Sequence, residues 1–198
     1  MTTYDAAIKH SGNYSAKLQS QYVALFGIGA FAAGNIFVGK FLKIDGTDGI
    51  LRFGRPFTSR PSKLVLYYRY VAGTVDYSTL GELPKNSKDM GSIYIALGDW
   101  PHQTFDGETD IPVLVKTKPA DRQLFDSNSS NVIGYGECIL KESTEGEGLI
   151  KLEIPINYRS NRKPTDIILV GSASRYGDYF TGSTGLSLIH ISEPTRRR

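Results

Sequence analysis

The sequence predicts an all-β protein whose strands form an antiparallel β-sandwich or jelly roll. Apolar and polar residues alternate with a period of two along most of the chain, as they do in half-buried strands. Clusters of Gly, Pro, Asn, Asp and Ser separate these runs at short intervals, which is typical of turns. No segment keeps a 3.6-residue apolar stripe over three turns, so amphipathic helices are not expected.

Nine runs read as strands because they are enriched in Val, Ile, Tyr and Phe, which suit a pleated, half-buried surface. In chain order they are 14–19, 23–28, 50–53, 63–71, 92–97, 113–117, 132–140, 150–157 and 166–173. In the run 63–71, Leu66 and Tyr70 fall on one face, and Tyr67 and Arg69 fall on the other. We expect the first face to pack against a second sheet and the face with Arg69 to stay accessible to a ligand.

Composition and charge exclude several classes of protein. The chain has 198 residues, of which 40% are hydrophobic and 22% charged, as in an ordinary single globular domain. It contains no apolar run long enough for a membrane helix and no visible signal peptide, so we predict no direct membrane insertion. The net charge of +3 comes mostly from the arginines at 196–198, and we predict no nucleic-acid partner. Cys138 is the only cysteine, and we expect it to be a buried, inert thiol.

Five stretches of the chain resemble one known family. They are AAGNIFVGKF (32–41), FGRPFTSRPSKLVLYYRY (53–70), IYIALGDW (93–100), VIGYGE (132–137) and RKPTDIILVGSASRYGDYFTGSTG (162–185). Together, over roughly residues 11–185, they look like the putative carbohydrate metabolism domain (PCMD) of gut-bacterial glycan-utilisation proteins. The resemblance implies a jelly-roll β-sandwich similar to carbohydrate-binding modules.

The resemblance also implies a setting for the domain. PCMD domains usually lie behind an immunoglobulin-like domain at the C-terminal end of secreted or surface-anchored proteins. We therefore expect an extracellular or cell-surface location and an N-terminal immunoglobulin-like domain in the full-length protein. The implied partner is an oligo- or polysaccharide.

The last 13 residues depart from the family. The segment 186–198 reads LSLIHISEPTRRR, and its first eleven residues resemble the in-frame translation of a common transposase sequencing adapter. We interpret 1–185 as one PCMD-like domain, truncated at its N-terminus, and 186–198 as the non-native tail of a metagenomic fragment. On this interpretation the sandwich lacks its last strand, although the alternation of Leu186, Ser187 and Leu188 suits a substitute strand.

Carbohydrate binding needs flat aromatic faces for stacking and planar polar groups that hydrogen-bond adjacent hydroxyls. Trp100, in the irregular segment 98–111, is the first candidate platform. The alternative, given equal weight, is a core plug, in which the ring fills the core at the end of a strand. Tyr77, in the polar segment 74–91, is expected to be exposed, since long loops on a rigid sandwich commonly carry function. Tyr70 is a weaker candidate because strand tyrosines more often pack in the core.

The polar candidates lie on a strand, at a turn and in one loop. Arg69 and Arg175 carry planar guanidinium groups that suit hydroxyls or a uronate carboxylate, with a structural ion pair as the default. The amide of Asn35 would cap a turn or contact a ligand. The loop SRYGDYFTG brings together Arg175, Tyr176, Asp178 and Tyr179. Asp178 would bind a sugar, a calcium ion or the backbone amides of its own loop.

We predict no catalytic residue, no metal site and no cofactor. The turn DGTDG (45–49) lacks EF-hand spacing, and the three histidines, His10, His102 and His190, lack metal-ligand spacing. A structural calcium ion stays an alternative, because jelly-roll binding modules often hold one. No P-loop, Rossmann or nucleophile-elbow motif is present.

Three classes of function follow. We favour a non-catalytic carbohydrate-binding domain that uses one sheet face and the neighbouring loops. A glycoside hydrolase is the first alternative, since hydrolysis needs two carboxylates facing one bond. Six acids lie in the candidate loops: Asp76, Glu82, Asp99, Asp106, Glu108 and Asp110. The second alternative is a structural or adhesion sandwich that binds protein through a flat apolar patch.

Overall fold

A computed structural model describes residues 1–25, 28–46, 48–79, 82–146 and 148–193. The regular structure in these ranges is strand, apart from two 3₁₀ turns at Pro119–Asp121 and Gly177–Tyr179. The strands are β1 (Thr2–Asp5), β2 (Ser15–Gln19), β3 (Gln21–Leu25), β4 (Ile28–Ala32), β5 (Asn35–Phe37), β6 (Gly39–Asp45), β7 (Asp48–Phe53), β8 (Arg55–Pro56), β9 (Lys63–Val71), β10 (Tyr77–Ser78), β11 (Gly91–Gly98), β12 (Gln103–Phe105), β13 (Glu108–Ile111), β14 (Val113–Lys116), β15 (Val132–Leu140), β16 (Ile150–Pro155), β17 (Asn157–Tyr158), β18 (Asp166–Ser172), β19 (Thr181–Gly182) and β20 (Leu188–Ser192). The all-β prediction is confirmed.

Two antiparallel sheets form the sandwich. Sheet 1 has the order β1-β2-β20-β9-β16, and sheet 2 has the order β17-β15-β11-β18-β5, with β8 also pairing with β18. Eight of these strands pair in a nested way: β2 with β20, β5 with β18, β9 with β16, and β11 with β15. First-with-last nesting of eight strands across two sheets is the jelly-roll topology.

The core lies between the sheets and follows the predicted alternation. Leu66 and Tyr70 of β9 point inward and are buried, as the period-two pattern of this strand requires. They pack against Ile93 of β11 and Ile154 of β16, both 1–2% exposed. Burial of such side chains is the main term that stabilises the sandwich.

A third layer covers the outer face of sheet 2. The strands β14, β7 and β6 form a three-stranded antiparallel sheet, which we call the covering sheet. Its residues Phe53 and Val113 pack against Ala96 and Val170, which lie on the face of sheet 2 that points away from the core. Because both of its faces are covered, sheet 2 has an almost continuously buried central strand, β11.

The predicted strands differ from the observed ones mainly in the loops between them. The prediction for 23–28 falls on the hairpin of β3 and β4, with 26–27 outside the described residues. The segment 98–111, predicted to be irregular, contains the hairpin β12–β13. The prediction for 150–157 becomes β16, which pairs in sheet 1, followed by β17, which pairs in sheet 2.

The position of the last jelly-roll strand, which we expected to be empty, is occupied by β20. This strand belongs to the segment assigned above to an adapter, and it lies between β2 and β9. The side chain of Ile189 enters the core, and that of His190 on the opposite face is 2% exposed. The alternation of this segment therefore suits a strand whatever its origin, while the arginines at 196–198 lie outside the described residues.

A buried carboxylate joins three parts of the chain beside β20. Asp89 is fully buried, and its Oδ2 accepts hydrogen bonds from Ser174 Oγ and Ser187 Oγ, both at 2.6 Å, and from Ser183 N at 3.0 Å. Its Oδ1 accepts from Met90 N at 2.8 Å. Burial raises the pKa of Asp89, and these donors oppose the rise.

The first test concerns β20. We expect Ile189→Ala to lower the free energy of unfolding by about 2–5 kcal/mol, because the substitution leaves a cavity in the core. Leu186→Ala is the matched control, since Leu186 belongs to the same segment and is 61% exposed. Urea melts of the two variants measure the difference. Equal midpoints would show that β20 does not pack as described.

The second test concerns Asp89. We expect Asp89→Ala to cost about 2–5 kcal/mol, because it leaves buried donors without an acceptor. The folded state holds the Asp89 proton to a higher pH than the unfolded chain does, so this stabilisation is greatest below about pH 4 and declines as the pH rises through the raised pKa. Urea melts at pH 4 and pH 8 should therefore give a larger wild-type-to-variant difference at pH 4.

Asp76→Ala is the control for the second test. The exposed carboxylate of Asp76 accepts a hydrogen bond from Thr184 N at 2.8 Å, in the same C-terminal segment. Its removal should cost much less, because water can replace it. A loss as large as that of Asp89→Ala would contradict the role of Asp89.

Candidate functional site

A cavity of about 340 Å³ opens between sheet 2, the covering sheet and the loop SRYGDYF (174–180). This volume lies at the lower end of the range of small-molecule sites, about 300–1,000 Å³. Each of these three parts contributes side chains to the wall of the cavity. The main lining residues are Asn35, Ser92, Tyr94 and Ser172 from sheet 2, Phe41, Asp48, Leu51 and Val115 from the covering sheet, and Ser174, Arg175, Asp178 and Phe180 from the loop.

The loop 174–180 has a local reason for its shape. Phe180 N donates to Gly177 O at 2.9 Å, which closes a 3₁₀ turn, and Phe180 ends the turn with a left-handed φ of 49°. Gly177 packs directly on Ala33, where a Cβ on Gly177 would lie 2.3 Å from the Cβ of Ala33. Only glycine allows this close approach, so Gly177 fixes the position of the loop at the cavity.

Arg175 acts as a clamp for the same loop. Its guanidinium forms an ion pair with Glu137 of β15, and both side chains are less than a third exposed. Its backbone N donates to Met90 O at 2.6 Å. The structural ion pair that was the default expectation for this arginine is therefore present, and the guanidinium already has a carboxylate partner.

Two acceptors at the cavity have spare capacity. Among the described residues none donates a hydrogen bond to the carboxylate of Asp178, whose pKa is raised by burial and held down by the charge of Arg122. The Oδ1 of Asn35 is buried and also has no hydrogen-bond partner in the described part of the chain. A buried acceptor such as Asn35 Oδ1 is costly to leave unpaired, and the partly buried carboxylate of Asp178 also lacks a donor, so both groups could accept hydrogen bonds from a ligand.

Phe41 and Tyr94 are two of the aromatic residues at the cavity that were not predicted. Phe41 is 51% exposed and lies over Gly49, where a Cβ would come within 2.9 Å of its ring. Tyr94 lies deeper, with its ring stacked on Phe125 at 5.5 Å between centroids. Burial, followed by the charge of Asp178, raises the pKa of Tyr94, so this phenol stays protonated. The sequence does indicate on which face Tyr94 lies, because Tyr94 alternates with the core residue Ile93 and so points to the other side of the strand. Nothing in the sequence singles out Phe41 beyond its place in a stretch that resembles the family.

A second carboxylate, Asp48, also lines the cavity and was not predicted. Thr117 Oγ1 donates to Asp48 Oδ1 at 3.2 Å. Asp48 belongs to the DGTDG sequence (45–49) and is the first residue of β7, so this sequence places an acid at the site. Asp48 and Asp178 approach the cavity from opposite walls.

Two predicted aromatic platforms are buried elsewhere. Trp100 is only 7% exposed and packs beside Gly98, where a Cβ would meet its ring at 2.4 Å. Tyr70 is fully buried between the sheets, and its hydroxyl donates to Ala173 O at 3.4 Å. Neither ring presents an open face, so both are core residues in this structure. Trp100 thus follows the core-plug alternative.

The remaining predicted residues lie near the cavity or on another surface. Tyr77 is half-buried and stacks on Phe31 at 6.0 Å between centroids, next to the cavity wall. Tyr176 and Tyr179 belong to the loop, and Arg122 covers the Tyr179 ring at 4.8 Å. Arg69 pairs with His190 on the outer face of sheet 1, and sheet 1 does not form a wall of the cavity.

The face expected to be accessible around Arg69 is partly covered. His10 stacks on Tyr67 with 3.3 Å between ring centroids, and Asp5 Oδ2 bonds His190 Nε2 at 3.1 Å. The Nε of Arg69 is buried. The N-terminal segment, which carried no predicted strand before residue 14, therefore closes over this part of sheet 1.

The six loop acids do not gather at the cavity. Glu108 pairs with Lys40 at 2.6 Å and Arg52 at 3.1 Å. The other ion pairs are those of Asp106 with Lys43 and of Asp99 with Arg162, and Asp76 accepts from Thr184. None of the six is among the lining residues. In the described ranges, no three His, Cys, Asp or Glu side chains are grouped as metal ligands, and no helix could span a bilayer.

These observations define the class of protein: a jelly-roll β-sandwich domain with a cavity of ligand size on the covered face of sheet 2. Two solved structures share this fold. A putative glycoside hydrolase from Bacteroides thetaiotaomicron is 20% identical with a TM-score of 0.66, and one from Bacteroides vulgatus is 22% identical with a TM-score of 0.66. The alignments cover 100% and 97% of this chain, but only 57% and 75% of those chains.

The family model for the Putative carbohydrate metabolism domain matches residues 2–192. The chain therefore belongs to the PCMD family, which confirms the resemblance, and the match runs through β20. Among curated proteins there is no match. The description of the family associates the domain with carbohydrate metabolism.

The position of the loop 174–180 can be tested at Gly177. We expect Gly177→Ala to cost about 1–3 kcal/mol and to displace the loop, because the new methyl group collides with Ala33. The double substitution Gly177→Ala with Ala33→Gly should restore most of the loss. Gly148→Ala is the control, because a Cβ there meets nothing within 4 Å. Thermal unfolding would contradict the packing if Ala33→Gly gave no rescue.

Proposed function

We propose that this domain binds carbohydrate without catalysing its hydrolysis, and that the cavity beside the loop 174–180 is the binding site. The observation that carries the proposal is the combination of an exposed aromatic ring, Phe41, with unpaired acceptors on Asp178 and Asn35. An aromatic face can stack on the C–H face of a sugar ring, and the acceptors can take its hydroxyl donors.

The cavity has an exposed side and an inner wall, and this shape favours a small part of a glycan as the ligand. Phe41 stands at the exposed side, while Tyr94 and Ser172 line the inner wall on sheet 2. A sugar residue at the end of a chain, or one projecting from it, suits such a pocket better than the middle of a flat fibre. In the full-length protein the domain would face glycans outside the cell, as proposed for an extracellular or surface-anchored member.

A glycoside hydrolase is the second candidate because two carboxylates, Asp48 and Asp178, line one cavity. The raised pKa of Asp178 suits a general acid. Two structures of this fold are also named as putative glycoside hydrolases. Against this reading, Thr117 Oγ1 already binds Asp48, and no acid besides Asp48 and Asp178 lines the pocket among the described residues.

The binding proposal is tested with Phe41→Ala. On a glycan array and in affinity gels, a polysaccharide retained by the wild-type protein should be retained at least about 10-fold more weakly by the variant, because stacking is lost. Ile44→Ala is the matched control, since Ile44 is 69% exposed on the same strand and does not line the cavity. Equal retention by both variants would place the site elsewhere.

The same samples separate binding from catalysis. Release of reducing sugar from a retained glycan by the wild-type protein, abolished in both Asp48→Asn and Asp178→Asn, would establish the hydrolase. Retention without release supports the binding domain.

A further inference from the structure

The charges around the cavity bear on which sugars it can hold, and this inference rests on the proposed function. Three charged side chains are among the lining residues: Asp48, Asp178 and Arg175. A uronic acid or a sulfated sugar would bring a negative charge into this setting. A neutral sugar would bring hydroxyl donors, and an amino sugar would bring a positive charge.

The cations near the cavity are already engaged. Arg175 is paired with Glu137, so its guanidinium is not available as a fork for a sugar carboxylate. Arg122 lies over the Tyr179 ring and donates through Nε to Thr117 O at 3.4 Å. Its Nη2 is buried and has no hydrogen-bond partner in the described residues, but Arg122 is not among the lining residues of the cavity.

A cation that interacts with the other acid, Asp48, is engaged as well. Lys118 bonds Asp45 at 2.9 Å, and the charges of Asp121 and Asp48 also act on it. Lys118 thus already has a carboxylate partner, and Asp121 is paired with Lys116 at 3.1 Å. Among the described residues that line the cavity, no guanidinium or ammonium group lacks a carboxylate partner, because Arg175 is paired with Glu137.

The acceptors, in contrast, are available. The Asp178 carboxylate lacks a hydrogen-bond donor in the described part of the chain, and so does the buried Oδ1 of Asn35. A carboxylate accepts two hydroxyls at once, which is the geometry that adjacent sugar hydroxyls present. A second carboxylate brought into a partly desolvated site would instead meet repulsion from Asp178.

We propose that the cavity selects neutral and amino sugars and rejects uronic acids, with Asp178 as the specificity-determining residue. In its ionised form Asp178 accepts hydrogen bonds from adjacent hydroxyls or an ammonium group, and its charge repels a sugar carboxylate. The side-chain Oδ1 of Asn35 is a second acceptor, and it carries no charge. Arg175 serves as a positioning residue that holds the loop and does not contact an anionic ligand.

The test uses oligosaccharides of the same linkage and length whose sugar units differ in one substituent, which is neutral, cationic or anionic. Isothermal titration of the whole chain would compare β-1,4-linked hexamers of glucose, glucosamine and glucuronic acid, and β-1,4-linked hexamers of mannose and mannuronic acid. We expect the neutral or amino member of at least one set to bind about 10-fold or more tightly than its uronic acid. Added salt should narrow the gap, because it screens the repulsion.

Asp178→Asn identifies the residue responsible. This variant keeps the side-chain shape and removes the charge. We expect it to weaken binding of the neutral hexamer about 10-fold, through loss of charged hydrogen bonds, and to make the affinities for the neutral and the uronic-acid hexamers similar. Asp99→Asn changes the net charge equally, at an exposed acid outside the cavity, and should leave the ratio unchanged.

The outcomes separate the inference from the proposed function. Tighter binding of a uronic acid than of its neutral partner in the wild-type protein overturns the inference and leaves carbohydrate binding standing. An unchanged ratio in Asp178→Asn overturns the role of Asp178. If no member of any set binds and the glycan array is also blank, the proposed function itself fails.

Discussion

The hydrogen-bonded carboxylate of Asp89 is the interaction on which the rest of the structure depends. It is fully buried, and it holds Ser174 at the start of the site loop, Ser183 beyond the loop, and Ser187 just before β20. One acceptor group thereby fixes where the chain leaves sheet 2 and where it enters sheet 1. The burial that raises its pKa also makes its donors expensive to leave unpaired, so the three segments are fixed together.

The covering sheet explains why the candidate site is a pocket and not a flat face. In a two-layer sandwich the outer face of sheet 2 would be open to solvent. Here β14, β7 and β6 cover most of it, and the loop 174–180 borders the part they leave open. The polar residues Asn35, Ser92 and Ser172 therefore face a partly enclosed space, where hydrogen bonds are stronger than at an open surface.

The fold was largely predictable from sequence, because a period-two pattern reports directly on which side of a strand is buried. The strands at Lys63–Val71 and Val132–Leu140 have the predicted bounds. The pattern gives burial but not the identity of the covering layer, so it could not show that Phe53 and Val113 pack on the outside of sheet 2. It also cannot report the origin of a segment: the residues of β20 alternate well enough to fill the last strand position.

The site was less predictable, because its members meet only through tertiary contacts. Asn35, Arg175 and Asp178 were predicted and do line one cavity. The contact of Arg175 with Glu137 spans 38 residues, and nothing local in the sequence indicates it. Trp100 was chosen for its rarity and its loop, but the lack of a side chain at Gly98 lets its ring fold into the core.

The nested pairing of β2 with β20 has a consequence for how the protein is made. These partners are separated by about 170 residues, so β2 leaves the ribosome long before the strand it must pair with. At about 5–20 residues per second, the delay is about 10–35 s. During that interval β9 also lacks one neighbour, because β20 lies between β2 and β9 in sheet 1. Sheet 2, whose strands β11, β15 and β18 are all made earlier, can assemble first, and sheet 1 closes over it only after β20 has been made.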